Sequence, residues 1–136
     1  MTAAVCVDDQ GGMMFNGRRQ SRDRVLIDDL ARSCGGALWV TPYSAPLFAD
    51  YPALCRVSAQ PLIDAPDNGV CFIESDPLAG DVSRIRTLIL YRWNRTYPAD
   101  LRLALDPAAC GFVCTDSADF AGSSHDCITK ETWTRL

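Results

Sequence analysis

Histidine is almost absent from this sequence: His125 is the only one in 136 residues. Zinc centres and two-metal nuclease sites need several donors in one place, and histidine is among the commonest of them. The seven cysteines do not replace it, because they are scattered. The closest pair, Cys110 and Cys114, also lacks the two-residue gap of zinc and thioredoxin-like motifs. We therefore expect no bound metal.

Long apolar runs and a signal-peptide pattern are also lacking. No stretch approaches the ~20 consecutive apolar residues of a membrane-spanning helix. The opening residues carry no basic segment, and Asp8 and Asp9 soon interrupt the first apolar run. An odd number of irregularly spaced cysteines is a poor disulfide framework. These features predict a cytoplasmic protein with reduced thiols and no membrane association.

An excess of positive charge is lacking as well. The formal net charge is -4 at pH 7, from 13 basic and 17 acidic residues, and 48% of the residues are hydrophobic. Nucleic-acid binding depends mainly on cations that displace counterions from phosphates, so we do not expect a nucleic-acid partner. The length and the apolar content predict a single globular domain over residues 1–136 with a real core.

Continuous apolar runs indicate strands that are covered on both faces. Such strands are predicted over 3–7, 37–41, 69–74 and 86–93. An edge strand is predicted over 55–57, and two antiparallel strands over 112–115 and 128–133. The pattern predicts an α/β domain whose mixed sheet has the runs 3–7 and 88–93 at its centre and an antiparallel pair at its C-terminal end.

One helix is predicted after the Asn16-Gly17 turn. Ser21 is a suitable N-cap, and the helix should end near Cys34, before a Gly-Gly pair. The apolar residues Val25, Leu26 and Leu30 should share its buried face. A second, short helix is predicted over 44–48, and a turn or short helix over 77–85.

Two stretches resemble the dihydrofolate reductase family. In the first, a strand ends at Val7-Asp8, a loop with Gly11-Gly12 follows, and a helix then carries Asp23. The second comprises 88–93, 100–103 and 119–125, whose order is similar to that of the family's last three strands, with a Ser-His in the final loop. The resemblance implies a minimal version of the three-layer dihydrofolate reductase-like fold, with a mostly parallel central sheet and an antiparallel C-terminal hairpin.

The cofactor motifs of the family are not reproduced. Pro42 stands where the resemblance places a phosphate-binding arginine, and Glu74 and Asp76 follow the strand after which the family has paired glycines. A carboxylate repels a diphosphate, and proline has no N–H to donate. The connections between strands are also shorter, so a strand and a helix on the cofactor side are expected to be missing. The resemblance therefore implies that NADP is not a cofactor of this chain.

Asp23 is the leading site candidate. In the family, an early acidic residue of this helix holds the pterin ring, and Ile27 corresponds to an apolar ring contact one turn later. The alternative is that an acid at the helix start only complements the helix dipole. Tyr91 stands where the resemblance places a threonine that assists the acid. The candidate ligand-binding residues are Asp23, Ile27, Met13, Met14, Ser44 and Tyr91.

Three further groups have two interpretations each. Arg18, Arg19 and Arg22 could bind an anion, although charge runs are more often solvated. The serines beside His125 invite a hydrolase interpretation, but neighbours in a turn rarely point at one another, so we favour a loop-structuring role. Trp93 could stack on a ring, although a tryptophan at a strand end more often packs in the core.

These observations lead to three hypotheses. We expect a dihydrofolate reductase-like domain that has lost NADPH-dependent reductase activity and binds a small heterocyclic or nucleotide-like ligand or a protein partner. The first alternative is a divergent NADPH-dependent reductase of a pterin-like substrate, in which Asp23 would be the catalytic candidate. The second is a structural or assembly role, including a homo-oligomer formed through exposed edge strands.

Overall fold

A computed structural model describes residues 1–135 of the chain. Numbered along the chain, the strands are β1 Thr2–Val7, β2 Gly12–Phe15, β3 Arg18–Arg19, β4 Leu38–Val40, β5 Cys55–Val57, β6 Val70–Phe72, β7 Thr87–Arg92, β8 Leu101–Arg102, β9 Phe112–Phe120 and β10 Ile128–Arg135. The helices are α1 Arg24–Ser33 and α2 Pro61–Asp64, with a 3-10 helix over Ala45–Phe48.

Seven strands form the central sheet, in the order β5-β4-β6-β1-β7-β10-β9. β1 pairs in parallel with both β6 and β7, and β4 pairs in parallel with β5 and β6. β10 runs antiparallel to β7 and β9. The predicted mixed sheet is confirmed: β1 and β7 lie inside it, and the C-terminal hairpin is antiparallel. β5 lies at the edge where it was expected.

Alternation along β1 divides the core between the two faces of the sheet. Ala3, Val5 and Val7 pack in one cluster with Met13 and Met14 of β2 and with apolar residues of the long connections. Ala4 packs in the other cluster, with the buried face of α1 and with Phe48 of the 3-10 helix. Because successive side chains of a strand point to opposite faces, one continuous apolar strand supports both clusters.

A small second sheet, in the order β3-β2-β8, lies beside the first. β2 and β3 form a tight hairpin whose turn residues, Asn16 and Gly17, both have positive φ, at 53° and 74°. Asparagine and glycine are the residues that tolerate this backbone at such a turn. The turn was expected from the sequence, but the strands on either side of it were not. We name this hairpin, residues 12–19, the arm.

Several sequence expectations need correction. The N-cap of α1 is Asp23 rather than Ser21, and Val25 is 37% exposed while Ile27 takes its place on the buried face. Between β6 and β7 the structure has turns and bends but no helix. β9 extends to Phe120, well beyond the four residues predicted for it.

None of the helices within residues 1–135 is long and apolar enough to cross a membrane. Across the same residues all seven cysteines are free, with Cys71 buried and Cys110, Cys114 and Cys127 exposed. In this described part of the chain, no cluster of three or more histidine, cysteine or acidic side chains is arranged to hold a metal ion.

Candidate functional site

Asp23 joins the start of α1 to the loop between β9 and β10. Its Oδ1 accepts hydrogen bonds from the N–H groups of Val25 (2.9 Å) and Leu26 (3.4 Å), which have no partner inside the helix. From the loop, Ser123 N–H donates to Oδ1 (2.9 Å) and Ser124 N–H to Oδ2 (2.7 Å). The Asp23 side chain is fully buried. Its oxygens are therefore occupied by groups of the protein itself.

The charge on Asp23 is strongly stabilised. Burial alone raises the pKa of its carboxyl group, but hydrogen bonds from Ser124, His125 and Ser123 outweigh that effect. The net result is a pKa well below the usual value of 3.8. Hydrogen bonds donated to a carboxylate favour the ionised form, so Asp23 is a carboxylate at any physiological pH.

His125 is the centre of a buried polar network. Its Nδ1 lies 3.0 Å from Asp23 Oδ2, and its Nε2 lies 3.1 Å from Ser21 Oγ and 3.0 Å from the Tyr97 hydroxyl. The ring stacks on Trp93, with centroids 4.5 Å apart and an interplanar angle of 25°. Trp93 is 4% exposed, so it packs in the core, as the more common interpretation of its position predicted.

Arg19 closes the cleft between the arm and the ends of the central strands. Its Nε and Nη2 donate to the two carboxylate oxygens of Glu74 at 2.8 and 3.0 Å. Ser44 Oγ donates to the same carboxylate at 2.6 Å. The guanidinium also lies 4.3 Å from the centre of the Tyr43 ring and donates to the Tyr43 carbonyl oxygen. We name Arg19, Tyr43, Ser44 and Glu74 the latch.

Two adjoining cavities lie beside these groups. The inner cavity holds about 20 Å³, and its lining includes Ser21, Asp23, Gln20 and residues of the latch. That volume is room for about one water molecule. The outer groove, of about 320 Å³, lies between α1 and the 3-10 helix and is open to solvent. Asp23 and Ile27 line both, so the two spaces adjoin at these residues.

The inner cavity contains one unsatisfied polar atom. Gln20 lines it, and its Nε2 donates to Asp8 at 3.0 Å and to the Pro98 carbonyl at 3.3 Å. Its Oε1 is buried and has no hydrogen-bond partner among the described residues. A buried acceptor without a donor is costly, which makes Gln20 Oε1 a natural partner for an N–H or O–H group of a ligand or water.

The predicted ligand-binding residues are only partly brought together. Met13, Asp23 and Ile27 line the inner cavity, and Ser44 donates a hydrogen bond to Glu74, which also lines it. Met14 packs in the core cluster on the face of the central sheet opposite α1. Tyr91 does not assist Asp23, because its hydroxyl donates to Asp29 at 2.6 Å and the tyrosine is fully buried. The place expected for Tyr91 beside the acid is taken by His125.

The arginine cluster is divided among different surroundings. Arg19 is engaged by Glu74 in the latch. Arg18 is exposed on the arm, where it lines a shallow depression with Phe15 and Tyr97. Arg22 is exposed and lines both the inner cavity and the outer groove. The three side chains are not shown converging on one anion, so their role in anion binding stays a prediction.

The sequence did not reveal which residues of this site contact one another. Glu74 drew attention only as a carboxylate that opposes phosphate, and Ser21 only as a possible helix cap. The pairing of His125 with Asp23 spans 102 positions of the chain. The one usable signal was the Ser-His of the final loop, which the resemblance included but did not connect with Asp23.

Comparison with known proteins supports the fold. The solved structure of dihydrofolate reductase from Enterococcus faecalis, in complex with NADP(H) and RAB-propyl, is similar to this chain with a TM-score of 0.66. The two sequences are 13% identical, and the match covers 98% of this chain and 95% of that chain. No family model and no curated protein matches the sequence. The chain therefore has a dihydrofolate reductase-like fold, as the sequence resemblance implied.

Proposed function

We propose that this chain is a dihydrofolate reductase-like domain that binds a small heterocyclic or nucleotide-like ligand and does not reduce it with NADPH. The observation that carries the proposal is the latch. Arg19 and Glu74 occupy the space between the arm and the central strands, and only about 20 Å³ remains open beside them. The adjoining outer groove remains available to a ligand.

The residues on the expected cofactor side do not fit a nicotinamide dinucleotide. The groove beyond the latch, of about 230 Å³, is lined by Glu74 and Asp76, and its lining contains no lysine or arginine. Phosphate sites in proteins use cations, helix N-termini or glycine-rich loops. The two segments that the resemblance places on the cofactor phosphates, 41–44 and 74–76, are also bonded to each other through Ser44 and Glu74.

The outer groove supports a ligand with a flat apolar part and polar edges. Ile27, Pro46 and Leu47 supply apolar surface, and Arg22 and Asp50 supply charges of both signs. Most of the other lining residues are charged or polar, so the groove suits a ligand whose apolar part is small and whose edges donate and accept hydrogen bonds. One water molecule in the inner cavity would donate an O–H to Gln20 Oε1, which has no partner among the described residues, and would link it to a ligand in the groove.

Titration followed by NMR tests the ligand part of this proposal, with folic acid as the heterocyclic probe and adenosine monophosphate as the nucleotide-like probe. We expect saturable shifts at Ile27 and Leu47 with at least one probe. Leu47→Gln should weaken binding by about tenfold, or ~1.4 kcal/mol. Val113→Gln is the control, because Val113 is 58% exposed on β9, away from the groove. Shifts confined to other surfaces would contradict the proposed site.

A turnover assay tests the other part of the proposal, the absence of NADPH-dependent reduction. Purified protein with dihydrofolate and NADPH should show no enzyme-dependent loss of NADPH absorbance. Turnover that disappears in Asp23→Asn while the fold is retained would establish the divergent reductase instead.

One observation favours assembly as a second candidate. β9 is the last strand of the sheet, and most of its nine residues are exposed. Among the described residues it pairs only with β10. An exposed strand edge can pair with another chain. Sedimentation of the wild type and of Val113→Lys tests this, since an edge-paired dimer should dissociate in the variant.

A further inference from the structure

Ser21, His125 and Asp23 lie in a row that neither ligand binding nor the fold resemblance explains. His125 Nδ1 is 3.0 Å from Asp23 Oδ2, and His125 Nε2 is 3.1 Å from Ser21 Oγ. The side chains of His125 and Asp23 are 2% and 0% exposed. A hydroxyl, an imidazole and a buried carboxylate connected in this order form the arrangement that activates a serine nucleophile.

The surroundings fix the tautomer of the neutral histidine ring. Asp23 is a carboxylate and can only accept, so the proton between the two residues lies on His125 Nδ1. In the neutral ring, Nε2 carries the lone pair and lies 3.1 Å from the Ser21 hydroxyl oxygen. Trp93 stacks on the ring, and Ser123 and Ser124 hold the carboxylate, so neither side chain can turn freely.

Ser21 lies where a developing negative charge would be stabilised. It lines the inner cavity two positions before the N-cap of α1, Asp23. Within residues 1–135, the backbone N–H groups of Arg22 and Asp23 donate to no protein acceptor. In serine hydrolases, the N–H of the residue after the nucleophile commonly contributes to the oxyanion hole. Arg22 occupies that position here and also lines the cavity.

We propose that this chain hydrolyses a small carboxylic ester, with Ser21 as nucleophile, His125 as general base and Asp23 as the residue that positions His125. Ser21 Oγ bonds to the ester carbonyl carbon while its proton passes to His125 Nε2. His125 returns that proton to the departing alcohol as the ester C–O bond breaks. Water, deprotonated by His125, then attacks the acyl-serine, and the carboxylic acid and free Ser21 are released.

The cavity volumes indicate the substrate class. The inner cavity of about 20 Å³ beside Ser21 has room for about one water molecule, so it would hold the carbonyl oxygen of an ester and not an acyl chain. The rest of the ester would lie in the outer groove, which holds about 320 Å³ and is lined by Arg22 and Arg24. A small ester such as an acetate fits these dimensions.

Tyr97 provides an internal control on the assignment. Its hydroxyl also lies 3.0 Å from His125 Nε2, so it competes with Ser21 for the one lone pair. Tyr97→Phe removes the competitor and keeps the ring. If the network is catalytic, this change should raise the rate of ester hydrolysis above that of the wild type, because the Ser21 hydroxyl then has the His125 Nε2 lone pair to itself.

The test combines covalent labelling with kinetics. A fluorophosphonate probe on the folded wild type should add to Ser21, identified by peptide mass spectrometry. With p-nitrophenyl acetate, Ser21→Ala and His125→Gln should each lower kcat by about 100-fold or more. Asp23→Asn should lower kcat by a similar factor per folded molecule, with the folded fraction measured by circular dichroism, and should change the pH profile of kcat, which a loss of folded protein alone would leave unchanged. Ser75→Ala, at an exposed serine, is the control and should keep the wild-type rate.

Absence of a Ser21 adduct on the folded wild type would overturn the inference, whether or not the variants fold. So would ester hydrolysis by Ser21→Ala at the wild-type rate. Neither result bears on NADPH or on the groove probes, so failure of this inference is distinguishable from failure of the proposed ligand-binding function.

Discussion

At the scale of single residues, Asp23 connects the two halves of the site. It caps α1 and at the same time binds the loop 121–125 through Ser123, Ser124 and His125. A carboxylate that accepts several hydrogen bonds in a buried place is stabilising only while it is ionised and fully bonded.

Replacing Asp23 by asparagine should therefore lower the free energy of unfolding by about 3 kcal/mol at neutral pH. The asparagine NH₂ would face N–H donors where an acceptor is needed. Urea unfolding of the variant measures this, with Asp126→Asn as the control, since Asp126 is exposed. A loss no larger than that of the control would show that the network contributes little.

Asp23 should also determine how the free energy of unfolding falls at acid pH. The pKa of Asp23 is lowered in the folded state, so its contribution is fully present above the ordinary value of 3.8 and is lost as the pH falls below it. The wild type should lose more stability than Asp23→Asn between neutral pH and about pH 3. Parallel losses in the two proteins would contradict this linkage.

The reactivity of the cysteine thiols should follow their burial. Burial raises the pKa of the Cys71 thiol to about 11 and that of Cys6 well above its ordinary value. Thiolates are the reactive form. In the folded protein at mildly alkaline pH, Ellman's reagent should modify the exposed Cys110, Cys114 and Cys127 quickly and Cys71 only after unfolding. Peptide mapping that finds Cys71 labelled as fast as Cys110 would contradict the packing described.

At the scale of elements, the loop 121–125 is built around one glycine. A Cβ on Gly122 would overlap the Asp23 carboxylate. Gly122→Ala should push the loop away from α1 and cost about 1–3 kcal/mol, the usual penalty of overpacking. Thermal unfolding measures the cost against Gly80→Ala, where an added Cβ meets no atom within 4 Å. Equal stabilities of the two variants would show that the loop adapts freely.

The sequence pattern predicts the long central strands, but it does not predict the short strands of the arm. β1 and β7 are continuous apolar runs, which only a strand covered on both faces tolerates. The arm has strands of four and two residues, too short for a pattern, and it forms because Met13 and Met14 pack in the core. The sequence predicted Ser21 as the cap of α1, but Asp23 caps the helix and at the same time binds the loop 121–125.

The candidate site was predictable only in part. Asp23 was predicted from the family resemblance, in which an early acidic residue of this helix holds the ligand ring. Its partner His125 lies 102 positions away, and the latch pair of Arg19 and Glu74 is separated by 55 positions, so only the folded chain brings these residues together. The resemblance also placed Tyr91 beside Asp23, but its hydroxyl donates to Asp29 of α1 instead.

At the scale of the whole molecule, the chain shares its fold with a reductase at only 13% sequence identity. The apolar pattern of the strands is enough to specify the sheet, because a strand requires apolar side chains more than particular ones. Cofactor binding requires particular side chains, and here the corresponding segments hold Glu74, Ser44 and Pro42.

Calorimetric titration with NADPH tests the central claim most directly. The latch and the carboxylates beyond it predict no saturable heat at cofactor concentrations up to about 1 mM, which bounds the binding free energy to weaker than ~4 kcal/mol. The same titration is made with Glu74→Ala, which lacks one carboxylate and the ion pair of the latch. It shows whether the closed cleft alone prevents NADPH binding. One-to-one binding of NADPH to the wild type with micromolar affinity would contradict the account.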